Sequence, residues 1–202
     1  MNPRDIERRS MEIIEAELTA PLPADLAPII KRVIHTTADF SFAETLRFSS
    51  GVVPLMRRML AEGATLITDT NMALAGINKA ALHRLHADAV CFMADDDVAR
   101  EARLRNVTRA SVSMERALGF PGRRIFVCGN APTFLWPLLE KAPLPDVAVI
   151  GVPVGFVNVT ETKQRLWDSG IPCIAAMGRR GGSTVAAAIV NALMNGIEGT
   201  RA

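Results

Sequence analysis

One histidine stands where proton chemistry is plausible. It lies in Val33-Ile34-His35-Thr36-Thr37-Ala38-Asp39-Phe40, at the end of an expected helix. A helix C-terminus carries partial negative charge and favours an imidazolium. The Asp39 carboxylate could do the same, and both influences push His35 towards serving as a general acid near neutral pH. The other reading is a ring that only caps the last carbonyls of its helix. A hydroxyl, Ser10, falls between Ile6 and Ile13-Ile14 on the apolar stripe of an earlier helix. Placed in a buried stripe, it either bonds back to the preceding turn or borders a polar pocket.

Four loops carry the residue types that hold anions. They read Asp69-Thr70-Asn71-Met72, Cys128-Gly129-Asn130-Ala131-Pro132-Thr133, Gly151-Val152-Pro153-Val154-Gly155-Phe156 and Gly178-Arg179-Arg180-Gly181-Gly182-Ser183-Thr184. Each follows a strand-like apolar run, and most lead into a helix. Glycine permits close backbone approach, and helix N-terminal N–H groups favour negative charge. Asn, Thr and Ser there either cap helices or donate to a ligand. Capping explains any one loop, whereas four on one edge point to a sizeable anionic ligand. Paired arginines, among them Arg8-Arg9, Arg57-Arg58, Arg123-Arg124 and Arg179-Arg180, could fork onto carboxylates where they reach that edge.

Other constellations are weaker. His83 and His86 have metal-ligand spacing on a helix, but no further local ligand pattern accompanies them. Asp95-Asp96-Asp97 precede a helix and suit its N-terminus. The Gly178–Thr184 loop lacks the G-x-x-x-x-G-K-[ST] spacing, and no G-x-S-x-G elbow is present. These patterns do not predict a metal site.

The elements that must position these residues read as α/β. Expected strands are 65–68, 89–93, 124–128, 147–152 and 173–177. Helices are expected at 52–62, 79–86, 98–118, 133–141, 160–169 and 184–195, preceded by two more at 5–18 and 24–34. Continuous apolar strands separated by helices predict a three-layer α/β/α fold around a mainly parallel sheet of about five strands. Open sheets of this kind bind ligands beyond the carboxyl ends of their strands. The 202 residues fit one domain over 1–202, with a helical segment over about 1–45. Hydrophobic residues are 49%, yet no apolar run is long enough to span a membrane. Three scattered cysteines and a polar start are read as a cytoplasmic protein. A net charge of +2 and the absence of tyrosine argue against a nucleic-acid partner.

Seven ordered blocks resemble one known family. They are Arg9-Ser10-x-x-Ile13-Ile14, the His35 block, Asp69-x-x-Met72, Asn106-x-Thr108-Arg109, Gly129-Asn130-Ala131-Pro132-Thr133, Gly151-x-Pro153-Val154-Gly155-Phe156-Val157 and Gly178-Arg179-x-Gly181-Gly182-Ser183. Together they are similar to the precorrin-8X and cobalt-precorrin-8 methylmutases of corrinoid biosynthesis, from about Ile6 to Leu193. The resemblance implies an isomerase that moves a methyl group between neighbouring carbons of ring C of a tetrapyrrole, formally by a [1,5]-sigmatropic shift. It implies His35 as the group that protonates the substrate near the migrating centre, with Ser10 and Arg109 in the pocket. A polycarboxylate corrinoid would lie against Thr36, Asp69, Met72, Asn130, Gly155 and Arg179. A homodimer with the site near the subunit interface is also implied. A non-catalytic corrinoid carrier and a phosphate- or nucleotide-handling α/β enzyme are the alternatives. The chain departs from the family pattern at Ala38, where glycine is expected. It departs again at Asn158-Val159-Thr160-Glu161-Thr162, in place of a Gly-Ala-Ala-Glu-Ser-like stretch, and at the bulkier Phe134 and Trp136.

Overall fold

Alternate residues of a strand face opposite sides of its sheet, and here both sides are filled. The computed structural model describes residues 2–142 and 144–197. Strands β1 (Leu46–Phe48), β2 (Thr65–Thr68), β3 (Asp88–Val90), β4 (Arg124–Cys128), β5 (Val147–Gly151) and β6 (Cys173–Ala176) form one sheet, ordered β1-β6-β5-β4-β2-β3. Five strands are parallel, and β1 runs antiparallel to β6 at the edge. On one face Leu66, Ile125, Val127, Ala148, Ile150 and Ile174 pack against helices α1 (Pro3–Glu17), α2 (Ala27–Thr37), α4 (Val52–Ala61), α6 (Lys79–Arg84) and α11 (Ser183–Asn195). On the other, Ile67, Phe126, Cys128, Val149 and Cys173 meet α8 (Arg109–Leu118), α9 (Trp136–Lys141) and α10 (Val159–Asp168). The expected three-layer α/β/α architecture is present.

The central strands are buried along almost their whole length, which is why they read as unbroken apolar runs. The sixth strand, β1, escapes that signal. It is three residues long, and only Leu46 is fully buried, with Arg47 exposed at the edge. Three helical expectations also change. The single helix over 98–118 is two, α7 (Asp96–Arg105) and α8. Asn106 ends α7 in the left-handed region (φ 52°), and Thr108 caps α8 by accepting from the Ser111 N–H. The short helices α3 (Phe42–Thr45) and α5 (Asn71–Gly76) fill stretches where no helix is expected from periodicity. The helix expected over 133–141 divides into a 3₁₀ turn at Pro132–Phe134 followed by α9.

Two of the departures from the family pattern fall at left-handed positions. Ala38 closes α2 at φ 54°, and Asn158 precedes α10 at φ 58°. Asn tolerates this region, whereas Ala carries a Cβ penalty. Phe134 is fully buried in the core beneath α8, and the Trp136 Nε1–H donates to Thr162 Oγ1 at 3.0 Å. That bulk therefore goes into internal packing on the α8–α10 side. Replacing Ala38→Gly should stabilise the protein by about 0.5–1 kcal/mol, since relief of the left-handed penalty exceeds the entropy cost of glycine. Thermal unfolding should show Tm up by roughly 2–4 °C per kcal/mol, and a fall in Tm would refute the account.

Candidate functional site

The parallel strands, numbered among themselves, run 2-1-3-4-5, so the strand order reverses between β2 and β4. A crevice opens beyond the carboxyl ends at such a reversal. Here the crevice is occupied by the protein itself. Asp69, the residue after β2, is fully buried. Its Oδ1 accepts from the Gly129 N–H at 2.9 Å, and its Oδ2 accepts from Asn130 N–H at 2.7 Å and Ala131 N–H at 2.9 Å. Burial pushes the Asp69 carboxyl above the usual carboxylate range, while the three amides and the Cys128 thiol pull it back. Asp69, expected against a ligand, has both carboxylate oxygens engaged by loop amides inside the protein. It takes the place of an external anion and shapes the loop after β4. Beside it Thr70 caps α5 and shares a 2.8 Å hydrogen bond with Ser183 at the start of α11. Gly129 packs so closely on α11 that a Cβ would lie 2.7 Å from Ser183 Cα. Its smallness serves contact within the fold.

Around this buried anchor the remaining loops form an exposed rim. Asn130 is exposed at the end of β4. Thr108 donates to Thr133 Oγ1 at 2.9 Å, which ties the first turn of α8, and with it Arg109, to the same loop. The Gly155 N–H donates to the Arg179 carbonyl at 3.2 Å, joining the loops after β5 and β6. The Arg179 guanidinium lies over the Phe156 ring, 5.4 Å from its centroid. Met72, Val154, Phe156 and Val157 expose apolar surface on these loops, with Phe156 81% exposed. The rim therefore offers cations, the Asn130 side chain and apolar faces together, while the Gly129, Asn130, Ala131 and Gly155 amides are bonded within the protein.

An ion pair joins the segment that follows α2, the helix carrying His35, to the loop after β6. Arg180, after β6, donates to both oxygens of Asp39, at 2.9 and 2.7 Å, and to Ser41 Oγ at 2.6 Å. The Ser41 hydroxyl, the Ser41 N–H and Arg180 hold the Asp39 carboxyl below its usual range. Asp39 is thus engaged elsewhere and does not act as the partner expected for His35. The imidazole is exposed in the last turn of α2 and, among the described residues, makes no hydrogen bond or ion pair. Thr36 donates to the Arg32 carbonyl at 2.8 Å and lines a surface cavity of about 460 Å³ with Thr184, Ala187 and Asn191 of α11. A larger cavity, about 700 Å³, lies at the other end of α11 against Arg57 and Gly196, and no candidate residue lines it.

Ser10 takes the first of its two readings, since its Oγ donates to the Ile6 carbonyl at 3.0 Å. Its stripe is not buried in this chain, however. Ile6 is 50% and Ile13 44% exposed, and of that stripe only Ile14 is buried. Many other arginines are neutralised: Arg32 by Glu7, Arg105 by Glu101 and Glu115, Arg116 by Asp95 and Asp97, and Arg123 by Glu62. The Asp95–Asp97 run is thereby engaged in part by Arg116. The side chains of Arg109 and Arg179 are exposed and make no hydrogen bond or ion pair among the described residues. The Glu161 carboxyl is held below its usual range by its own backbone N–H, by the Thr160 hydroxyl and, less, by Arg179. Arg109 and Arg179 are the cations at the rim left for a ligand.

Two residues have duties here that the sequence does not signal. Arg180 was seen only as one of a pair, although its i+1 position to Arg179 in a glycine-flanked loop sends the two side chains apart. Lys163, wholly buried, donates from Nζ to the carbonyls of Gly178 at 2.8 Å and Arg180 at 2.7 Å. Its place in an otherwise amphipathic helix carried no signal.

The fold is a doubly wound α/β sheet of the kind that binds ligands beyond its strand ends. Comparison with known proteins gives the family. The precorrin-8X methylmutase family model matches residues 5–196. The cobalt-precorrin-8 methylmutase of Salmonella typhimurium is 42% identical over 199 residues, 95% of this chain and 94% of that protein. The precorrin-8X methylmutase of Pseudomonas aeruginosa is 39% identical, over 93% of each chain. The crystal structure of precorrin-8x methyl mutase from Thermus thermophilus superposes with a TM-score of 0.85 at 34% identity, covering 94% of this chain and 96% of that one. The chain belongs to the precorrin-8X methylmutase family, and it is an isomerase.

If Asp69 holds the switch-point loop, Asp69→Asn should turn an amide NH₂ against backbone donors. The expected loss is about 2–3 kcal/mol, or a Tm lower by roughly 5–10 °C. Thermal unfolding checks this, and an unchanged Tm would count against the role.

Proposed function

We propose that the chain catalyses the intramolecular migration of a methyl group within ring C of cobalt-precorrin-8 or precorrin-8X, giving cobyrinate or hydrogenobyrinate in cobalamin biosynthesis. The observation that carries this reading is the family match over residues 5–196, joined to a free imidazole at the carboxyl edge of the sheet. His35 acts as general acid towards the macrocycle. Substrate and product are isomers, so the proton that His35 gives must return within each turnover and no co-substrate is consumed. Arg109 and Arg179 take acetate and propionate arms, with the Asn130 side-chain amide as a further donor. Met72, Val154 and Phe156 lie against the macrocycle face. The N-terminal helices contribute Ser10, and Thr36 borders the same ligand.

Support for the polyanionic ligand comes from the two rim arginines that lack an ion-pair partner. Support for a homodimer comes from the open form of the rim and from the exposed Ile6 and Ile13 on α1, which a second copy would cover. Light scattering should then give about twice the 21.8 kDa chain mass, and a monomer at micromolar concentration would refute the dimer. Among the described residues no helix is long and apolar enough to cross a membrane, which fits a cytoplasmic enzyme.

The test follows the visible absorption of the pigment. Wild-type protein should convert at least one of the two substrates, the cobalt form first in view of the 42% identical relative. His35→Ala should bind product within a few-fold of wild type and lose roughly 10²–10⁴-fold in turnover. Normal turnover by that variant would remove His35 from the acid role. Product binding by the wild type without conversion of either substrate would favour a carrier. Arg109→Ala and Arg179→Ala should each weaken product binding by about tenfold, corresponding to about 1.4 kcal/mol for a lost charge-assisted contact.

A further inference from the structure

Lys163 is a charged side chain with no exposure at all. A buried ammonium is costly unless donors and acceptors are matched around it. Burial pushes Lys163 down to about 8, and nearby Cys128 pulls it partly back. Its two acceptors are not scattered. They are the carbonyls of Gly178 and Arg180, which bracket Arg179. The intervening Arg179 carbonyl accepts from the Gly155 N–H at 3.2 Å, and the Gly182 N–H donates to the Val152 carbonyl at 2.9 Å. Gly181 lies so close that a Cβ there would be 2.1 Å from the same Val152 oxygen. Three successive carbonyls of the loop are therefore bonded inside the protein. The side chains of Arg179 and Arg180 are exposed, one over Phe156 and the other on Asp39 and Ser41. Asp39 follows the left-handed end of the helix that carries His35.

We propose that Lys163 is a positioning residue for the isomerase reaction. It locks the Gly178–Gly182 loop from beneath, so that Arg180 holds the His35 end of α2 against the strand-end rim and Arg179 stays aimed at the ligand. The inference rests on the reading of His35 and the rim given above. Its Nζ is enclosed by the loop it holds, which excludes direct contact with substrate in this arrangement. The route of action runs from Lys163 through the loop to Arg180, Asp39 and the end of α2.

The test is a double-mutant cycle on turnover, using Lys163→Met and Asp39→Asn in the full-length enzyme. Each single substitution should lower kcat at least tenfold. The double variant should be no more than about threefold worse than the worse single, because both break one linkage. A residue that merely stabilised the fold would give effects that multiply, and multiplication would overturn the proposal, as would a kcat for Lys163→Met within twofold of wild type. Should Lys163→Met fail to fold, Lys163→Gln keeps a donor in the same space and carries the same cycle. Amide hydrogen exchange gives a readout independent of catalysis. The Gly155 and Gly182 amides should exchange at least tenfold faster in the Lys163 variant, while those of Val127 and Ile150 stay protected. If the wild type converts neither substrate, the functional reading fails, and exchange alone decides the loop claim: faster exchange confined to Gly155 and Gly182 supports it, and unchanged rates overturn it.

Discussion

A carboxylate buried among apolar strands must be met by donors, or it gives up its charge. Asp69 is met by three successive backbone amides, those of Gly129, Asn130 and Ala131. That one interaction decides how the carboxyl edge of the sheet is built. It draws the loop after β4 across the point where strand order reverses. It brings Gly129 against Ser183 and so sets the start of α11. It also directs the chain into the turn at Pro132–Phe134, whose Thr133 receives Thr108 and fixes the beginning of α8. Arg109 stands where it does because a carboxylate after β2 had to be satisfied.

The polar groups of this edge divide by depth. Asp69 and Lys163 are buried, with partners among the loop backbones, and they hold the platform. Arg180, itself exposed, and the partly exposed Asp39 neutralise each other while joining the platform to α2. His35, Arg109, Arg179 and Asn130 are exposed at the rim. A ligand bearing several carboxylates gains most from guanidinium groups that are not already paired, since an occupied one must first lose its partner. By that criterion Arg32, Arg105 and Arg116 drop out, and of the strand-end loop and α8 arginines Arg109 and Arg179 are without an ion pair among the described residues. Net charge, only +2, conceals this local surplus.

Strands β4, β5 and β6 were legible because they are buried on both faces, which leaves nearly unbroken apolar runs. Strand β3 is an edge strand with Asp88 exposed, and the expectation over 89–93 overran it. The edge strand Leu46–Phe48 was not legible, because half of it faces outward. The division between α7 and α8 had a signal in Asn106-Val107-Thr108, a left-handed residue followed by a cap, but the apolar spacing runs across it and favours one helix. At the site, the loop residues were legible by type and place, and their individual duties were not. A buried Asp accepting loop amides and an exposed Asp binding a ligand look alike in sequence. Only the distances at Asp69 separate them. Ser10 shows the converse: its back-bond to Ile6 was one of two open readings, yet its supposedly buried stripe is exposed in the chain by itself.

Ala38 illustrates how the site tolerates strain. A non-glycine residue in the left-handed region costs roughly 1–2 kcal/mol, and such strain persists only where the surroundings over-determine the conformation. Here they do. The Ala38 N–H closes α2 on the Ile34 carbonyl at 2.7 Å, and the Asp39 N–H turns back to Thr37 Oγ1. Just beyond, Asp39 is held by Ser41 and by Arg180. These bonds fix the chain on both sides of Ala38 and leave its φ little choice. The shape required at this point is the left-handed turn, and glycine is only its least strained occupant. Alanine suffices because the Arg180–Asp39–Ser41 contacts independently demand the same turn. The departures at Ala38 and Asn158 therefore alter the residue at a left-handed position without removing the turn, and the end of α2 stays tied to the loop after β6.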